Sequence, residues 1–101
     1  GQPQQAIKVT EDDLQNYPSD PRMHLLQART WSMLGRRLQQ HRALAEAYAL
    51  QGQLAPAVEQ LELAQKAGDG NFYEQSQVDS RLREVKKRMA DEAKQAKDAK
   101  K

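Results

Sequence analysis

Between Leu54 and Lys66 the chain places Leu54, Ala57, Val58, Leu61 and Ala64 at steps of three and four, with Glu59, Gln60, Glu62, Gln65 and Lys66 between them. Such steps gather the apolar set on one face of a helix, and the pattern predicts a helix over 55–67, with Pro56 tolerated in its first turn. Further on, Val78, Leu82, Val85 and Met89 repeat at intervals of four, three and four, which predicts a helix over 72–95. Only Ala93 and Ala96 continue that line, so the end of this helix is expected to project into solvent and fray. Over 21–34 the apolar positions are broader. Met23, Leu25, Leu26, Ala28, Trp31, Met33 and Leu34 cover more than one face, as in a helix that packs on two sides. A helix over 37–50 follows. Upstream, Ala6, Val9, Thr10 and Leu14 give a thin apolar face to a short helix over 6–17, with Glu11, Asp12 and Asp13 turned to water. Residues 1–5 are expected to be frayed.

The breaks between these helices carry their own signals. Pro18 stops the first, and Ser19 or Asp20 caps the next, with Pro21 in its first turn. Gly35 and Gly52 supply the backbone freedom that ends the next two helices. Gly68, Asp69 and Gly70 break the chain again. Asn71 followed by Glu74 resembles a capping box, although Ser or Thr is the usual cap there, with Phe72 or Tyr73 expected to close over the preceding helix. There is also an internal echo. Ala28, Trp31 and Gly35 match Ala45, Tyr48 and Gly52, each pair 17 residues apart, so that ARTWSMLG mirrors AEAYALQG. Ala45 and Ala57 let two helix axes approach, and Tyr48 and Leu61 fill the space between them.

Composition narrows the functional classes. The chain has 101 residues, 30% of them charged and 38% apolar, enough for one domain with a modest core. The absence of cysteine excludes disulfides, thiolate zinc sites and cysteine nucleophiles. No apolar run is long enough to cross a membrane. His24 and His41 match no zinc-ligand spacing, and HExxH, Gly-rich phosphate-loop and GxSxG motifs are missing. No catalytic residue, metal site or cofactor is therefore assigned. The acidic run at 11–13 reads as a solvated face. Arg22, Arg29 and Arg36 recur every seven residues, with Arg37 and Arg42 nearby. They form either a face for an acidic partner or a solvated ridge paired with Asp20, Glu46 or Glu59. The net charge of +2 and the lack of interleaved aromatics argue against nucleic acid. From Lys86 to Lys101 seven basic and three acidic residues give a local +4, read as a solvated tail over 90–101.

The stretch LAEAYALQGQLAPAVEQLELA, with Leu44, Ala45, Tyr48, Gly52, Ala57, Leu61 and Ala64, resembles the tetratricopeptide repeat, a helix pair of about 34 residues. His41 replaces the favoured tryptophan, and Asp69 stands near the place of the closing proline. The resemblance implies an all-α array of antiparallel helix pairs over 6–89, wound as a right-handed superhelix and capped by the longer last helix. It leaves the phase open. The signature makes the 37–50 helix the first of a pair, and the Pro18 boundary gives that place to the 21–34 helix. The former is preferred, and the first helix of each pair lines the concave surface. The segments AEAYALQG, LAPAVEQLELA and GDGNFYEQSQVDSRLRE are further similar to the C-terminal region of bacterial periplasmic zinc metallopeptidases of the beta-barrel assembly-enhancing protease type. That resemblance, over Tyr17 to Val85, implies a fragment of a larger peptidase whose HExxH lies elsewhere. It also implies a periplasmic location and a role in binding partners of outer-membrane protein assembly or quality control. Arg29, Arg42 and Glu46 are the candidate partner contacts. The chaperone-tail clamp of some tetratricopeptide proteins uses Lys and Asn where this chain has Arg42 and Glu46, which argues against that ligand. The alternative function is a structural scaffold that self-associates.

Overall fold

The computed structural model describes residues 19–99. The expectations for 1–5 and for a helix over 6–17 fall outside them. The described chain is all-α: α1 (Pro21–Met33), α2 (Arg37–Leu50), α3 (Leu54–Lys66) and α4 (Phe72–Ala99). The boundaries lie within a residue of expectation for the first three helices, and α4 runs four residues further, to Ala99.

Helix α1 begins where Asp20 accepts a hydrogen bond from the Arg22 amide at 2.9 Å, with Pro21 in the first turn. It ends at a glycine in the left-handed region, Gly35 at φ 72°, and α2 ends the same way at Gly52, φ 75°. Side chains rarely adopt that conformation, which is why glycine stands at both corners. The corners match bond for bond. Arg36 N donates to Trp31 O at 3.0 Å and Gln53 N to Tyr48 O at 2.9 Å; Gly35 N donates to Ser32 O and Gly52 N to Ala49 O, both at 3.0 Å. The 17-residue echo in sequence is thus an echo in backbone hydrogen bonding, and it turns the chain through the same corner twice.

The core lies between α2, α3 and α4. Leu38, Ala45, Ala49, Leu54, Ala57, Val58, Leu61, Ala64, Val78, Leu82 and Val85 form one buried cluster, with Tyr48 packed against it. Ala57, Leu61 and Ala64 are completely buried. The alanines at the α2–α3 contact keep the two axes close, because only a methyl group separates the backbones. The predicted α3 stripe is buried in full. The α4 stripe is buried at Val78, Leu82 and Val85 but not at Met89, which is 41% exposed. From Lys86 to Ala99 every side chain is exposed, so the second half of α4 projects beyond the packed helices.

Among the described residues α1 packs against α2, with Leu25, Leu26 and Met33 exposed; the second neighbour expected for it falls outside them. One expectation needs correction. Phe72 and Tyr73 do not close over α3; they are 88% and 69% exposed. They sit on the first turn of α4, where the core-facing position is taken by Glu74. Asp69, at the break before α4, also serves the start of α2. Its carboxylate accepts hydrogen bonds from the amides of Arg37 and, at 2.9 Å, Leu38. Helix α2 has no side-chain cap from its own N-cap residue, Arg36. Asp69, from the α3–α4 connection, satisfies two of the amide donors that every helix start leaves open.

Candidate partner-binding groove

The start of α2 and the start of α4 are held at one corner. The capping box is reciprocal: Asn71 N donates to Glu74 Oε1 at 3.0 Å and Glu74 N to Asn71 Oδ1 at 2.8 Å. Glu74 is buried, and its carboxylate also accepts from the Gln39 amide and meets Arg36 at 3.6 Å. A buried carboxylate is costly unless hydrogen-bonded and paired, and this one is both. Gly70 lies against Leu38; a Cβ at Gly70 would stand 2.3 Å from Leu38 Cδ1. Burial raises the Asp69 carboxyl, but the Leu38 and Arg37 amides, with Arg36 nearby, outweigh it and hold Asp69 below its ordinary value.

From that corner a polar ladder runs along α2 and α4. Gln39 bonds Glu74, Arg42 Nη1 donates to Gln77 Oε1 at 2.9 Å, and Arg81 donates to Glu46 at 2.6 and 3.0 Å. The partners are each 35 residues apart. The rungs advance by three and then four residues on both helices, so α2 and α4 run parallel with facing sides in register. The Glu46 hydrogen bond, set against partial burial and aided by Glu84 at 3.0 Å, holds the Arg81 guanidinium above its ordinary value. Near the far end Arg88 Nη1 reaches the Ala49 carbonyl at 3.4 Å, close to the open end of α2.

Two clefts flank α2. One, of about 260 Å³, lies between α1 and α2 and is lined by His24, Gln27, Trp31, Gln39, Arg42, Ala43 and Glu46. The other, of about 390 Å³, lies between α2 and α4, with Tyr73, Ser76, Gln77, Ser80, Arg81 and Glu84. Arg42 and Glu46 line both. They therefore sit on the ridge of a groove that crosses three helices, with Trp31 on one flank and Tyr73 on the other.

Of the three candidate contacts, Arg42 and Glu46 are brought together here, although they pair with Gln77 and Arg81 on α4 and not with each other. Arg29 is exposed on α1 and lines neither cleft. The seven-residue arginine row is not one surface: Arg22 pairs with Asp20 at 2.9 Å and Arg36 with Glu74. The Arg22 hydrogen bonds lower the Asp20 carboxyl below its ordinary value. Tyr48 packs on the core as expected, whereas Trp31 is half-buried at the cleft wall and outside the core cluster. The two histidines diverge. His41 Nδ1 meets Gln60 Oε1 on α3 at 2.8 Å, and His24 faces the α1–α2 cleft. Among the described residues no three side chains form a metal-binding group, and no helix is long and apolar enough to cross a membrane. Gln77, Arg81 and Tyr73 were missed as groove residues, since their place depends on the register of α4 against α2.

Comparison of the chain with protein-family models, curated proteins and solved structures gave no match.

Proposed function

We propose that this chain is a non-catalytic protein–protein interaction module of tetratricopeptide type. In this reading α2 and α3 form one repeat and α4 opens the next. The observation that carries it is the 35-residue offset between the parallel helices α2 and α4, close to the repeat period of about 34 residues. A stack of such pairs turns its first helices towards one surface, and the groove over α2 and α4 has the form of that surface. Its polar side chains suit an extended segment of another protein, held by shape and hydrogen bonding. The resemblance of AEAYALQG, LAPAVEQLELA and GDGNFYEQSQVDSRLRE to envelope zinc metallopeptidases supports reading this module as the partner-binding part of such an enzyme, acting in the periplasm on outer-membrane protein assembly or quality control.

The test is co-purification with the parent protein carrying Trp31→Ala and Arg42→Ala. The proposal expects loss of envelope-assembly partners with cleavage of small peptides retained. Unchanged partners would overturn the groove, and loss of small-peptide cleavage would point to a role in the catalytic unit. One observation favours a second reading: Leu25, Leu26 and Met33 leave an apolar strip on the outer face of α1. A scaffold that self-associates through this strip would sediment as a concentration-dependent dimer, and Leu26→Glu would return it to a monomer.

A further inference from the structure

The charges of the groove are unequally satisfied. Two arginines line it. Arg81 is held by two carboxylates, Glu46 at 2.6 Å and Glu84 at 3.0 Å. Arg42 donates to the neutral amide of Gln77, and no carboxylate of the described residues lies within ion-pair distance of it. A guanidinium presents a planar fork of donors, and one bond to an amide leaves most of them for a ligand. Arg42 is also the arginine that both clefts share, so whatever pairs with it lies in the middle of the groove.

We propose that the groove takes an extended peptide carrying a single side-chain carboxylate, which Arg42 binds, with the residues on either side lying against Trp31 and Tyr73. This rests on the groove being the partner-binding surface and adds the chemistry of the partner. The central place of Arg42 selects a side-chain carboxylate over a chain terminus. A terminal carboxylate at Arg42 would leave one of the two clefts empty, whereas a continuous peptide fills both.

Trp31 is the single tryptophan of the chain and lines the groove, so its emission reports occupancy directly. The experiment titrates the 101-residue chain with two end-blocked heptapeptides: one with a central glutamate between leucines and its glutamine counterpart. The glutamate peptide is expected to shift Trp31 emission and to bind about tenfold more tightly than the glutamine peptide, the effect of one charge-assisted contact. Arg42→Gln, which keeps a hydrogen-bond partner for Gln77, removes the preference for glutamate, and Arg42→Lys keeps part of it. An unchanged melting temperature shows that these variants are folded. Equal binding of the glutamate and glutamine peptides overturns the carboxylate assignment and leaves the groove intact as a binding surface. Absence of any Trp31 response to either peptide at millimolar concentration overturns it as well, and the groove itself is then judged by the co-purification experiment.

Discussion

Asp69→Ala removes the acceptor for two amides at the start of α2, Arg37 and Leu38, and nothing on α2 itself replaces it. Loss of a side-chain N-cap costs about 1 kcal/mol. Loss of a negative charge at a helix N-terminus adds about 0.3–1 kcal/mol, with the lower part of that range appropriate to an exposed, screened carboxylate. The sum is about 1.5 kcal/mol. For a domain of this size 1 kcal/mol moves the melting temperature by about 4–8 °C, so the expected fall is about 6–12 °C. Thermal unfolding followed by far-ultraviolet circular dichroism measures it. Amide exchange adds a local reading, since the Arg37 and Leu38 amides should lose protection ahead of the α3 core. Asp69→Asn keeps one acceptor oxygen without the charge and should lie between wild type and Asp69→Ala. A melting temperature for Asp69→Ala within about 1 °C of wild type would show that the α3–α4 connection does not cap α2, and the argument from orphan amides would fail.

The pH dependence follows from the same carboxylate. Asp69 is lowered in the folded state, so its contribution is complete above the ordinary aspartate range and is lost as the pH falls through the lowered value; stability curves of wild type and Asp69→Asn should converge in acid. Gly70→Ala forces a Cβ against Leu38 and should cost about 1–3 kcal/mol, read as a lower denaturant midpoint at unchanged slope. Ala57→Leu inserts bulk at a completely buried position of the core and should destabilise by a similar amount of about 1–3 kcal/mol in the same assay. Removing residues 90–101 takes away no buried side chain among the described residues, so helical signal should fall while the melting temperature moves by less than about 2 °C.

Local signals in the sequence located the helices well, because their causes are local. Gly35 and Gly52 end helices by their own conformation, Asn71 and Glu74 cap each other across three residues, and the α3 stripe is a property of one helix. The echo of Trp31 and Gly35 in Tyr48 and Gly52 was visible for the same reason. The groove was only half legible. Arg42 and Glu46 could be picked out as surface positions on α2, but their partners Gln77 and Arg81 lie 35 residues away and depend on how α4 slides along α2. Asp69 stood out only as part of the break after α3, since a cap supplied from 31 residues downstream leaves no mark in local pattern. Phe72 and Tyr73 misled because apolar character alone suggested burial, while helical phase assigned the inward position to Glu74. Arg29 lines neither cleft, because seven-residue spacing aligns residues on one helix but does not say whether that line faces a cleft.

The central claim is that the groove crossing α1, α2 and α4 receives a protein partner. It is tested most directly by site-specific photo-crosslinking in cells from Gln27 and Ser80, which line its two clefts, and from Glu62 on the exposed side of α3. The account predicts the same envelope-assembly protein captured from Gln27 and Ser80 and none from Glu62. Capture from Glu62, or from Lys94 on the projecting half of α4, with silence at both groove positions would contradict it.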